Sequence, residues 1–162
     1  MGTMLIQRVL VALCLLILSS CSYPPCRQWE MEDIVAKTPR FNGGRLILDP
    51  DSDHSHLELE IIRNSAGVRF YLNLLFLEAL PCQEDPKRTC ISIQFEDQEP
   101  WNAYPYLLAG GQRLLLPGDV ADTLIQALLN GQSFIIQMGR TQIHVVPTQF
   151  VKTYERLLKI PL

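Results

Sequence analysis

Asp51-Ser-Asp-His-Ser-His56 is the stretch whose residue types come nearest to a metal site, because two imidazoles and two carboxylates supply nitrogen and oxygen donors. In an extended chain, residues two apart share a face, so His54 and His56 would present their rings together. The same Asp and Ser side chains also serve as groups that cap backbone amides in a turn entering a strand. The turn is the simpler reading. His54 and His56 remain as the alternative metal ligands, and no cofactor is expected.

A second stretch, Glu96-Asp-Gln-Glu-Pro-Trp-Asn-Ala-Tyr-Pro-Tyr106, sets Trp101, Tyr104 and Tyr106 among hydrogen-bond acceptors. Such rings can stack on a sugar or a peptide while the acceptors bind its polar groups. The competing reading is that the rings close one end of the core and the carboxylates stay wet. Adjacent Glu96 and Asp97 would point to opposite faces of an extended chain, so they do not read as the paired carboxylates of a glycosidase. His144 alternates with Ile143 and Val145 and reads as an outward or structural histidine. Ser133 lacks the glycine two positions later that a nucleophile elbow requires, and the sequence holds no P-loop, H-E-x-x-H, C-x-x-C or dinucleotide glycine pattern. No catalytic residue is assigned, and the chain reads more readily as a binding protein than as an enzyme.

Cys21 offers a different chemistry. Arg8 precedes ten uncharged, mostly branched residues, Val9 to Leu18, followed by Ser19, Ser20 and Cys21. A membrane-spanning helix needs roughly 20 apolar residues, whereas the apolar core of a signal peptide needs about 7 to 15. Counting back to Met4 does not lengthen the run, because Gln7 and Arg8 interrupt it. Leu18-Ser19-Ser20-Cys21 resembles the lipobox of bacterial prolipoproteins. The resemblance implies a diacylglyceryl group on the Cys21 sulfur, removal of residues 1–20 and frequent acylation of the new amino terminus. More than one acyl chain anchors a protein stably without spanning the bilayer. Ser22, in place of an aspartate, implies export to the outer membrane in a bacterium with two membranes. An ordinary secretory signal with a coincidental cysteine, or a short buried helix, are the alternatives. The resemblance covers only this N-terminal stretch.

Removing the first 20 of 162 residues leaves 142, the size of one domain. Arg8 is the only charge lost, so 13 Lys and Arg stand against 17 Asp and Glu. Mild acidity and the lack of a basic run exclude nucleic acid as a partner. Of five cysteines, Cys14 leaves with the signal and Cys21 takes lipid. Cys82 and Cys90 flank a polar connection containing Pro86, and in an oxidising compartment this spacing predicts a Cys82–Cys90 disulfide. Cys26 is then free in the tether or pairs with another molecule; Cys26–Cys82 and Cys26–Cys90 are the competing bridges.

The elements that must position these residues follow from periodicity. Residues 21–41 read as a tether, with a short helix over Glu30 to Lys37, and 42–162 as one domain. Leu46 to Leu48, His56 to Ile62, Val68 to Phe76, Cys90 to Phe95 and Arg113 to Leu116 read as strands. Val68, Phe70, Leu72, Leu74 and Phe76 would share the inward face. Asp119 would cap a helix over Val120 to Asn130, with Gly131 past its end. Gly139-Arg140 would form a two-residue II′ turn between Ser133–Met138 and Thr141–Val146. Thr148 would cap a last helix with a stripe of Phe150, Val151, Tyr154, Leu157 and Leu158. The sum is an α+β domain, a largely antiparallel sheet with two helices from the C-terminal half packed on it.

The expected role is a lipid-anchored envelope lipoprotein acting in envelope structure, assembly or partner binding. Its partners would be the membrane, through the lipid, and an envelope protein or cell-wall component. The alternatives are a periplasmic ligand-binding module for a cell-wall glycan or peptide, using Trp101, Tyr104 and Tyr106, and a metal-dependent periplasmic enzyme.

Overall fold

Apolar and polar residues alternate along most strands of this chain, and in the computed structural model, which describes residues 27–35, 37–38, 42–50 and 55–161, that alternation separates a core face from a wet face. Strands β1 (Glu30–Ile34), β2 (Gly43–Leu48), β3 (Leu57–Asn64) and β4 (Gly67–Leu74) run antiparallel in succession. β8 (Arg113–Leu115) and the short β7 (Tyr106–Leu107) extend this six-stranded sheet beyond β4. A four-stranded sheet holds β10 (Thr141–Val145), β9 (Phe134–Met138), β5 (Ile91–Phe95) and β6 (Trp101–Ala103), in that order. Both sheets are antiparallel. Helix α1 (Gly118–Leu129) lies against β4, and α2 (Phe150–Leu158) against β1, β2 and α1. The fold is the expected α+β arrangement, with both helices in the C-terminal half.

Cross-strand rows build the core. Leu46 opposes Ile61, which opposes Phe70, and Leu48 opposes Leu59, which opposes Leu72 and through it Leu114. In the smaller sheet Ile143, Ile136 and Ile93 form one row. All of these are buried. The opposite face of the larger sheet carries charge instead. Glu32 meets Arg45 at 2.6 Å, Arg45 meets Glu60 at 3.3 Å, and Glu60 meets Arg113 at 2.6 Å. Asn73 also donates to Glu58 and Glu60, and the Arg113 guanidinium lies 4.1 Å from the Tyr71 ring centroid. Glu60 is buried yet fully partnered, as a buried carboxylate must be. Hydrogen bonding to Glu32, then to Glu60, raises the Arg45 pKa further.

Several expectations need correction. The helix over Glu30 to Lys37 is instead strand β1, paired from Glu30↔Ile47 to Ile34↔Gly43. The tether therefore stops short of residue 41, since Trp29 is only 1% exposed, with its ring edge-on to Phe150 and Phe70. Val68 and Phe76 are not buried with the rest of their row, Phe70, Leu72 and Leu74. Val68 sits beyond the core near the hairpin tip, and Phe76 lies past the end of β4 with a left-handed φ of 66°, standing 89% exposed. Pro117, not Asp119, occupies the N-cap of α1, which leaves Asp119 in the first turn beside the positive end of the helix dipole. Gln149, not Thr148, precedes α2. Along α2, Phe150, Thr153 and Leu157 are buried while Val151 and Leu158 flank the stripe and are exposed.

The hairpin turns match their residues. Met138 pairs with Thr141 across Gly139-Arg140, and Gly139 takes a positive φ of 58°. Asn64 pairs with Gly67 across Ser65-Ala66, with the Asn64 side chain accepting from the Ala66 amide.

The outer edge of β10 is met by side chains. The carbonyls of Gln142, His144 and Val146, two residues apart along one edge, accept from Ser55 Oγ, the Arg27 guanidinium and Trp29 Nε1. The Trp29 amide adds a bond to the Thr148 carbonyl, and Arg27 also donates to the Asp49 carbonyl.

Candidate functional site

β2 ends, β3 begins and β4 ends at one end of the six-stranded sheet, because Leu48 pairs with Leu59 and Leu57 with Leu74. The chain leaving β4 there must cross to β5 in the other sheet. That crossing, residues 75–90, walls a cavity of about 560 Å³ together with His56 and the β9–β10 turn. Leu77, Leu80, Pro81 and Met138 make its lining largely apolar, while His56, Glu78, Thr89 and Arg140 add polar groups. Sites for small molecules have this size and this mix. Leu80 on this lining stands 83% exposed, and Phe76, 89% exposed, meets the His56 ring edge-on at 6.3 Å between centroids.

Polar bonds fix the crossing. The Cys82 amide donates to the Arg88 carbonyl at 2.7 Å, and the Thr89 hydroxyl to the Leu80 carbonyl at 2.7 Å. The segments 80–82 and 88–90 are thereby held side by side. Cys82 and Cys90 line both the apolar cavity and a second hollow of about 470 Å³, shared with Asp85, Arg88 and Tyr104. The sequence spacing thus brings Cys82 and Cys90 to the same two hollows, and the structure draws no bond between them. Burial pushes the Cys82 thiol up, with Cys90, Asp85 and Glu84 adding in the same direction.

The three aromatic residues of the proposed recognition loop are split between the sheets. Trp101 lies on β6, paired with Ile93 and packed against the core, whereas Tyr106 lies on β7. Arg88 covers the Tyr106 ring at 4.3 Å and donates to its hydroxyl at 2.9 Å and to the Tyr104 carbonyl at 3.2 Å. One face of Tyr106 is therefore already stacked, and of the three only Tyr104 lines the second hollow. His54, with Asp51 and Asp53, lies outside the described residues, as do Cys21 and Cys26. Among the described residues, no three His, Cys, Asp or Glu side chains gather as ligands, and no helix is long and apolar enough to cross a membrane.

Sequence reasoning singled out His56, Cys82 and Cys90 but missed that they share a cavity with Leu80, Met138 and Arg140. The run Leu74-Leu-Phe-Leu77, apolar on consecutive positions, was the one available signal, because a strand with one wet face would have alternated. Compared with protein-family models, curated proteins and solved structures, the chain matches none of them.

Proposed function

We propose that this chain is a lipoprotein of a bacterial envelope, held to the membrane through acylated Cys21, whose domain acts by binding rather than by catalysis. Its role is envelope structure, assembly or partner binding, and Ser22 directs it to the outer membrane. The observation that carries this reading is the order of Arg8, the apolar run Val9 to Leu18, and Leu18-Ser19-Ser20-Cys21. A largely apolar cavity with a few polar groups on its wall suits ligand or partner contact.

The test is metabolic labelling with radioactive palmitate in a bacterial host. The wild-type chain should take up label and fractionate with membranes, while Cys21→Ser should take up none and appear in the soluble periplasmic fraction. A wild-type chain without label would sink the lipoprotein reading.

A further inference from the structure

Two features leave the same end of the six-stranded sheet. Strand register puts the start of β1, the end of β2, the start of β3 and the end of β4 together there, through Glu30↔Ile47, Leu48↔Leu59 and Leu57↔Leu74. One feature is the N-terminal segment. It is fastened at Arg27, which bonds the Asp49 and His144 carbonyls, and at Trp29, whose amide bonds Thr148. From Trp29 back to Arg27 these contacts step along β10 from Thr148 toward His144, which is toward the β9–β10 turn that walls the apolar cavity. The other feature is the pair of exposed apolar side chains, Phe76 beside His56 and Leu80 on the lining of that cavity.

We infer that Phe76 and Leu80 enter the interface of the bilayer to which Cys21 is anchored, so that the domain docks with this end of the sheet against the membrane. The inference rests on the acylation of Cys21 proposed above. Chain length supplies the argument. Only residues 22–26, with Pro24 and Pro25 among them, separate Cys21 from Arg27. Six steps of fully extended chain reach at most roughly 20 Å. β3 alone, with eight residues, spans about 25 Å. The end of the sheet that carries Phe76 is thus held at the membrane, and the opposite end, with Val35 and the Ser65-Ala66 turn, is held away from it.

Phe76 supplies the independent argument. A left-handed φ of 66° is an outlier for an aromatic residue, and here it turns the ring into water rather than into the core. Both the backbone strain and the exposure destabilise the isolated domain. At a bilayer interface the ring leaves water, together with Leu80, and the conformation that presents it becomes useful. Arg140, on the wall of the same cavity, then faces the headgroup phosphates; Glu78 is the acidic group on that wall.

The experiment reconstitutes the acylated full chain into vesicles of phosphatidylethanolamine and phosphatidylglycerol whose acyl chains carry bromine, a short-range quencher of tryptophan. In a Trp101→Phe background, Phe76→Trp is compared with Val35→Trp, a position 85% exposed at the far end, and with the parent, whose one remaining tryptophan, Trp29, is buried. The Phe76→Trp variant should lose emission in brominated vesicles and shift to the blue, while the other two proteins keep theirs. Flotation of all three with the vesicles, but with no greater loss for Phe76→Trp, would leave the anchor standing and overturn the docking. A chain recovered from the bacterium without an acyl group would reject the anchor, and loss of emission from that chain would still support docking. An unacylated chain that neither floats nor loses emission would overturn both. A blue shift that depends on protein concentration in detergent, and is absent in vesicles, would assign the tip to a second copy of the chain and overturn the membrane contact.

Discussion

At the end of the six-stranded sheet where β2 begins, a Cβ on Gly43 would fall 2.3 Å from the Arg63 carbonyl oxygen, and one on Gly44 would fall 2.2 Å from the Ile160 side chain. At the other end Phe76 and Leu80 stand in water, Leu80 on the lining of a cavity of about 560 Å³ and Phe76 beside its His56. The first end is closed further by Arg63, which donates to the Leu157 and Ile160 carbonyls at 3.2 and 2.6 Å and so ties the C-terminal end of α2 to β3. The same strands, β2, β3 and β4, run through both ends. Their difference teaches where this domain's stability is concentrated and where its surface is left for something else to cover.

The open end still has one strong fastening, Trp29, and removing it is the largest expected effect. Trp29→Ala should cost about 3–5 kcal/mol in urea unfolding, because it opens a cavity against Phe70 and Phe150. It also leaves the Val146 carbonyl without its indole donor. A loss under about 1 kcal/mol would place Trp29 with the tether rather than with the core.

Next comes the closed end. Gly43→Ala should cost about 1–3 kcal/mol, since the methyl group meets a backbone oxygen that cannot move without parting β2 from β3. Gly44→Ala should cost less, because the methyl ends of Ile160 and Leu157 can turn aside. Comparing the two by thermal denaturation separates backbone crowding from side-chain crowding. Equal costs would mean that α2 is pinned as rigidly as the sheet.

The smallest effect has the opposite sign. Phe76→Gly should leave the domain unchanged or stabilise it by up to about 1 kcal/mol, because glycine takes the left-handed conformation without the Cβ penalty and the exposed ring contributes little packing. A clear loss of stability would show that the ring belongs to the domain after all, and the contrast between the two ends would fall.

The hairpins were legible because their signals are local. Alternation over Leu57 to Ile61, the Asn64–Gly67 turn and Gly139-Arg140 each act within a few residues. β1 was not legible. Glu30-Met-Glu-Asp-Ile34 has an acidic, helix-compatible composition, and what makes it a strand is the ladder to β2 together with Trp29 seated in the core, both set by distant residues. The caps failed for a related reason, since Asp119 and Thr148 have the right chemistry but the chain enters each helix one or two residues away from them. The cavity joins His56, the 75–90 crossing and the β9–β10 turn. No local period links segments so far apart; the strand orders of the two sheets do.

The carbonyls of Gln142 and His144 in β10 and of Val146 just past its end, met by Ser55, Arg27 and Trp29, have a consequence for a chain that is cut. An open strand edge is a template on which another chain can add its own strand. Here two of the three groups that blunt that template come from residues 27–29, the first described part of the chain. A copy trimmed by a protease past Trp29 would keep most of its sheets but bare this edge, and it would be prone to stack with others like it. The N-terminal segment thus also serves as the stopper that keeps each domain from growing onto its neighbour.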